Sequence, residues 1–471
     1  MLMKWQQLLS TRRNREYSSG NAHSADLRSE FEKDYHRIIG SASFRRLQDK
    51  TQVFPLDKSD FIRTRLTHSL EVSSFGKSLG QNIGEYILAY KKDEDFALQY
   101  KEDICNILQC AGLLHDIGNP PFGHFGECVI RDWFKKNLGA IDFKGKSVES
   151  ILTPQMREDF YHFEGNAQAF RLITKLHYLV DENGMNLTYA LLNTIVKYPV
   201  PSTKIDKTTG NIKDKKMGYY YADQDLYEAV AKATGTEGKR HPLTYILEAA
   251  DDIAYKTADI EDGFIKGYIS YHKLKEELRL LQEKNPEDSF APMDKLERKY
   301  QSGIKRGVKN PEEYAVKNWI VQVQGFLISC ATYGFTSNYE EIMEGNYQYD
   351  IFHGTYAEDL MKLLGDLAYR EVFITPDIYK MEVAESVILD FLMTKLVNAV
   401  IYYDTDVKLS EIDKRMMSFI SGNYKSAYHY QAEGRSEEEK LYLRLLLVTD
   451  YICGMTDSYA KRLYQELNGI V

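Results

Sequence analysis

The residues with the most chemistry in them lie at the end of one apolar run. Ile104 to Leu114 leads into His115-Asp116, then Ile117-Gly118-Asn119-Pro120-Pro121-Phe122-Gly123, then His124 and Glu127. His115-Asp116 sets a neutral nitrogen beside an anionic oxygen. That mixture suits a hard or borderline divalent ion such as Mg²⁺, Mn²⁺ or Fe²⁺ better than a thiolate site does. Taken alone, the pair also reads as a helix-terminal histidine with a capping aspartate. Two ligands do not make a site, so the others must come from elsewhere in the chain. His68 has Arg65 three residues before it and Glu71 three after, near one face of a helix. Asp251, Tyr255, Asp259 and Asp262 form an acidic stripe beside apolar Ile246, Ala250 and Ile253. Helix interiors do not favour Asp, so the stripe is either a buried functional face or a solvated acidic one. Asp252 points elsewhere on that helix. His68, His115, Asp116 and Asp251 together offer two imidazoles and two carboxylates. Such a set can hold one divalent ion and leave positions for water and phosphate oxygens.

Helices must position these groups. Apolar spacing predicts helices over Glu30 to Leu47, Phe61 to Tyr90, Lys101 to Leu114, Leu187 to Tyr198 and Leu243 to Gly263. A helix starting at Gly123 would align His124 with Glu127. Pro120-Pro121-Phe122-Gly123 cannot continue the preceding helix, so the chain should turn beside His115-Asp116. Another helix opens at His162-Phe163-Glu164-Gly165-Asn166. Ser386 to Val400 reads as a core helix, and Leu443 to Leu467 as one C-terminal helix. Ser18-Ser19-Gly20-Asn21 and Pro199 to Gly218 are loops, the latter carrying Lys204, Lys207, Lys213, Lys215 and Lys216. Thr51 to Pro55 is a short extended segment stopped by its proline. Glu283 to Asp294 and Lys305 to Glu313 are charged linkers. The expected class is all-α: residues 1–60 an N-terminal helical segment reaching the site, 61–265 the core, and 266–471 a C-terminal helical region packed on it.

Composition narrows the setting. The chain has 471 residues, a hydrophobic fraction of 43% and a net charge of −9. Global charge therefore gives no reason to expect a dedicated nucleic-acid protein. Five cysteines without CxxC spacing argue for a reducing cytoplasm and against a disulfide or zinc framework. The N-terminus lacks an apolar signal core, and no run of about 18 apolar residues would span a membrane. Among 35 tyrosines, Tyr219-Tyr220-Tyr221 and Tyr428-His429-Tyr430 are candidate interface surfaces, with buried packing as the alternative.

The order H…HD…D resembles the HD-domain phosphohydrolases. Phe44 to Pro55, Arg65 to Val72, His115 to Glu127, His162 to Gln168, Ala250 to Tyr255 and Gly454-Met455-Thr456-Asp457 are similar to the corresponding stretches of bacterial dGTP triphosphohydrolases. The similarity runs from about residue 10 to the C-terminus. It implies an HD helical core and hydrolysis of a dNTP, dGTP foremost, to deoxynucleoside and tripolyphosphate. The bond broken would join the α-phosphorus to the 5′ oxygen. By this resemblance His68, His115, Asp116 and Asp251 are metal ligands, with Mn²⁺ or Mg²⁺ expected. His124 matches the catalytic histidine and Glu127 would orient it. Arg65, Asn166, Lys197 and Lys216 would hold triphosphate oxygens. Gln52 would lie near the 3′ hydroxyl, Tyr255 against the sugar where a 2′ hydroxyl would clash, and Asp259 would complete that pocket.

The resemblance further implies a cytoplasmic homo-oligomer, with a hexamer as the expected form. Some relatives bind single-stranded DNA, for which Arg12, Arg13, Arg15 and the 204–216 lysines are the candidate contacts; a solvated surface is the alternative. Two other readings stand beside the triphosphohydrolase. One is an HD phosphodiesterase or nucleotidase with a different leaving group. The other is a nucleic-acid-binding protein with a degenerate HD fold, against which the intact ligand set argues.

Overall fold

The structure, a computed structural model, describes residues 2–15, 26–54, 63–91, 93–177, 181–285 and 290–470. The expected loop at Ser18–Asn21, the stop at Pro55, residues 61–62 of the helix expected from Phe61 and residues 286–289 of one linker lie outside the described residues; Arg63 and Thr64 are not helical, and that helix starts at Arg65 behind its Thr64 cap. Among these residues the protein is all-α, apart from a two-stranded hairpin, Asp142–Phe143 with Lys146–Ser147. That hairpin was not foreseen; its turn residues Lys144 and Gly145 both have positive φ, the signature of a tight two-residue connection.

Three helices make the frame. Arg65–Tyr86 lies along Tyr100–Leu114, and Pro242–Ile265 packs against both. The first pair comes unusually close because Gly112 faces the other backbone: a β-carbon there would sit 2.5 Å from Ser73 N. The apolar stripe of Tyr100–Leu114 (Ile104, Ile107, Leu108, Ala111, Leu114) is wholly buried, as its 3.6-residue spacing requires. Thr64 caps the first helix through Thr67 N, and His241 the third through Leu243 N, each satisfying an otherwise orphaned amide.

The helix boundaries differ from the sequence expectation where polar caps interrupt an apolar pattern. The span expected as one helix from Glu30 to Leu47 breaks at Gly40-Ser41, because Ser41 accepts from Phe44 N and restarts the helix as Ala42–Arg46. The C-terminal span likewise divides into Glu437–Cys453 and Asp457–Leu467, with Thr456 capping the second. Leu187 to Tyr198 contains only a six-residue helix, Tyr189–Thr194. The C-terminal elements share one continuous apolar core with the frame.

Two surface expectations need correction. Tyr219, Tyr220 and Tyr428 are all buried. Tyr220 donates to Gln168 Oε1 and Tyr219 stacks on Tyr227, so these rings are core, and only Tyr430 is well exposed. Arg13 is not a surface cation either. It is buried against Asp34 and Glu30 and donates to the Asn186 carbonyl. Arg15 pairs with Asp181 and Arg12 lies over the Tyr189 ring. A run of arginines looks basic in sequence whether its charges face solvent or clasp a neighbouring helix.

Candidate active site

Each frame helix delivers one group to a common point. His68 sits in the first turn of Arg65–Tyr86, His115 at the C-cap of Tyr100–Leu114, and Asp251 midway along Pro242–Ile265. His68 Nε2 is 3.2 Å and His115 Nε2 3.4 Å from Asp251 Oδ1. One ligand atom from each of the three residues lies within 4.8 Å of the other two. Asp116 Oδ2 stands 3.6 Å from His115 Nε2. Asp116 is itself gripped by Arg65 on one oxygen and by Asn119 Nδ2 at 2.7 Å on the other.

The donor set fits a divalent ion. His115 Nδ1 is 2.8 Å from the Gly112 carbonyl, which can only accept, so Nδ1 carries the proton and Nε2 keeps its lone pair. That Nε2 is buried and has no hydrogen-bond partner among the described residues. A second-shell carbonyl that fixes the tautomer is the usual support of a metal-binding histidine. Burial by itself would push both aspartates up. The Arg65 guanidinium instead holds Asp116 below its ordinary range, and the Lys197 ammonium does the same to Asp251. Both carboxylates are thus kept anionic, as ligation requires.

The turn after His115-Asp116 brings His124 back as expected. Phe122 and Gly123 are both left-handed, with φ of 66° and 57°. Phe122 carries the strain of a bulky residue there. Gly123 has no alternative, since a β-carbon would sit 2.3 Å from Arg65 Nη2. The helix Gly123–Asn137 then places His124 Nδ1 3.2 Å from Glu127 Oε2. The His124 side chain is 78% exposed while that of Glu127 is 1% exposed, so a fixed carboxylate holds an accessible imidazole. Glu127 raises the His124 pKa through that contact. Its other oxygen accepts from Gly165 N at 2.8 Å.

A cavity of about 450 Å³ joins these groups. Gln52, Arg65, Asp116, His124, Asp251 and Tyr255 all line it. Tyr255 is parallel to Phe373, ring centroids 6.3 Å apart. Asp259 adjoins Tyr255 but is buried and does not line the cavity, which corrects its placement in the pocket wall. Asp252, expected to point elsewhere, does line it, and burial lifts its carboxyl to about 6.

The expected phosphate-binding residues are held by carboxylates. Lys197 Nζ is 2.9 Å from Asp251 Oδ2. Glu164 Oε1 accepts from both Lys216 Nζ at 3.0 Å and Asn166 Nδ2 at 2.7 Å, and Lys216 Nζ also lies 2.8 Å from Oε2. Sequence reasoning missed Glu164, which is buried and pushed up by desolvation and by Glu127. It also missed Val53, Tyr369, Phe373, Ile378, Glu382 and Glu385 in the cavity wall. Glu164 and Val53 fall inside stretches already singled out. The others come from a region whose sequence shows only amphipathic helices.

Two histidines and an aspartate converging from three helices, beside a histidine–aspartate step, define an HD-domain protein, and an HD-domain family model matches residues 65–156. Similarity extends well beyond that segment. A deoxyguanosinetriphosphate triphosphohydrolase-like protein of Listeria innocua is 49% identical over 99% of this chain and 100% of its own. One from Synechocystis is 34% identical over 99% and 100%. The deoxyguanosinetriphosphate triphosphohydrolase of Yersinia enterocolitica is 33% identical over 93% of each chain. The chain belongs to this family.

Proposed function

We propose that the protein hydrolyses deoxynucleoside triphosphates, dGTP foremost, to deoxynucleoside and tripolyphosphate. The observation that carries this reading is one cavity that Asp251 of the metal-type triad, the accessible His124 on Glu127 and Tyr255 all line. The relatives' names point the same way.

His68, His115 and Asp251, with Asp116 beside them, would hold a divalent ion, Mn²⁺ or Mg²⁺, which when bound offsets phosphate charge and lowers the pKa of a coordinated water. The remaining work belongs to side chains. Arg65, Lys197, Lys216 and Asn166 bind and align the triphosphate, exchanging carboxylate partners for phosphate oxygens. His124 faces the α-phosphorus and, as imidazolium, gives its proton to the departing 5′ oxygen; Glu127 fixes its ring and stabilises its charge. Gln52 accommodates the 3′ hydroxyl, and Tyr255 excludes a 2′ hydroxyl.

The base is read at the wall contributed by the C-terminal region. Glu385 is buried, neither carboxyl oxygen has a hydrogen-bond partner among the described residues, and burial raises it to about 8. Guanine presents two adjacent donors, N1–H and the 2-amino group; on binding it draws Glu385 into its ionised form, whose two oxygens accept one each. Adenine offers no such pair there. In this organisation, residues 1–60 lend Gln52 and Val53, 61–265 the metal and phosphate groups, and 266–471 the base wall. The working form proposed is a cytoplasmic homo-oligomer.

The test is incubation with each dNTP and Mn²⁺, with the phosphate product identified. Tripolyphosphate released fastest from dGTP supports the reading. Pyrophosphate or orthophosphate as the product would replace it with a different HD hydrolase.

A further inference from the structure

The Gly454-Met455-Thr456-Asp457 stretch has no part in the chemistry described so far, yet its aspartate reaches two walls of the cavity. Asp457 opens the helix Asp457–Leu467 and is 2% exposed. Its Oδ1 accepts from Phe122 N at 3.0 Å. Its Oδ2 accepts from Thr51 N at 2.8 Å and also from the Thr51 hydroxyl. Phe122 is the left-handed residue two before His124, and Thr51 directly precedes Gln52. One carboxylate thus ties the strained turn that aims His124 to the segment that carries Gln52.

The same corner reaches the metal ligands by a second route. Lys50 is buried; its Nζ donates to the Cys453 carbonyl at 2.7 Å and the Asn119 carbonyl at 2.6 Å. Asn119 in turn donates to Asp116. Lys50 also supplies a positive charge near Asp457, which offsets part of the cost of burying that carboxylate. The segment 453–457, more than 300 residues downstream of Gln52, Asp116 and His124, therefore braces the histidine turn, the Gln52 segment and an aspartate ligand from one side.

We infer that Asp457 is a positioning residue that holds the Phe122-Gly123 turn so that His124 meets the scissile phosphate, and holds Thr51-Gln52 so that the sugar binds in register. This rests on the proposed role of His124. A left-handed bulky residue persists only where its surroundings over-determine it, and the Phe122 N–H to Asp457 bond is such a constraint. An amide at 457 has one acceptor oxygen and presents N–H groups where the carboxylate received them. It cannot satisfy both Phe122 and Thr51.

The experiment uses the full chain with Mn²⁺. Asp457→Asn should keep stoichiometric Mn²⁺ but lose kcat for dGTP about 10- to 100-fold, the scale of an ångström-level misplacement. The double variant with His124→Ala should be no slower than His124→Ala alone, because Asp457 acts through His124. Thr51→Val, which removes one bond on the sugar side only, should raise KM more than it lowers kcat; it is the informative variant should Asp457→Asn not fold. An Asp457→Asn kcat within twofold of the parent, a double variant in which the losses multiply, or an unchanged KM in Thr51→Val would each overturn the inference. Failure of the underlying His124 role would show separately, as full activity in His124→Ala alone.

Discussion

Lys197 Nζ lies 2.9 Å from Asp251 Oδ2, while Asp251 Oδ1 faces His68 and His115. The carboxylate is shared between a metal-type cluster on one oxygen and a cation on the other. On the proposed function, Lys197 would exchange Asp251 for a phosphate oxygen while the histidine side keeps the other carboxylate oxygen. A charge-assisted hydrogen bond contributes about 1.5–3 kcal/mol. Lys197→Met should therefore lower kcat/KM for dGTP about 10- to 100-fold, through KM foremost, with Mn²⁺ still bound. His115→Ala and Asp251→Ala should instead lose both Mn²⁺ and hydrolysis while keeping their helical circular dichroism. Full Mn²⁺ content and activity in either alanine variant would refute the ligand assignment.

Tyr255 lies in the cavity wall and stacks on Phe373, so its ring is fixed from behind. Discrimination by a fixed ring is steric, and one extra group in such a pocket is worth about 10- to 200-fold. Tyr255→Ala should narrow the dGTP/GTP ratio of kcat/KM about tenfold. An unchanged ratio would remove Tyr255 from sugar recognition and leave Gln52 as the residue to test.

Arg13 carries a stability prediction in place of a DNA-binding one. Its guanidinium is buried against Asp34, and Asp34 also accepts from Thr188 N and Oγ1. Removing one partner of a buried pair strands the other, at about 3–5 kcal/mol. Arg13→Ala should unfold at markedly lower urea concentration. A shift worth less than about 1 kcal/mol, the range of surface pairs, would show that Arg13 is solvated after all.

The His115-Asp116 pair and the turn before His124 were legible because chemistry and chain-breaking fall within a few residues. Asp251 was legible because acidic residues interrupt an apolar stripe. What sequence could not show was burial. Arg13 and Tyr220 carry surface-type side chains whose partners, Asp34 and Gln168, are far along the chain. Glu385 sits in a helix whose amphipathic pattern hides a carboxyl pointing inward. Asp457 falls inside the span Leu443 to Leu467, which the sequence reads as one helix, and its contacts to Thr51 and Phe122 span more than three hundred positions. Residues that act by long-range hydrogen bonds leave no periodic trace.

The His124–Glu127 pair makes a prediction in pH as well as in rate. Glu127 accepts from Gly165 N with one oxygen and meets His124 with the other. Its own pKa is lowered: burial would raise it, but His124 and Lys216 outweigh that. It thus stays ionised and raises the pKa of His124 above the ordinary histidine value. If His124 protonates the 5′ oxygen, the active form is the imidazolium, present below that raised pKa and lost as pH climbs through it. The alkaline limb of kcat/KM should then lie above the usual histidine range, and Glu127→Gln should move it to lower pH. His124→Ala should keep Mn²⁺ and dGTP binding while kcat drops about 10²- to 10⁴-fold, the contribution of a positioned acid or base. Glu127→Gln should lose less, and the double variant should be little worse than His124→Ala, since one residue acts through the other. Near-parental kcat in His124→Ala with Mn²⁺ bound would overturn this mechanism, and an alkaline limb indifferent to Glu127→Gln would assign that limb to another group.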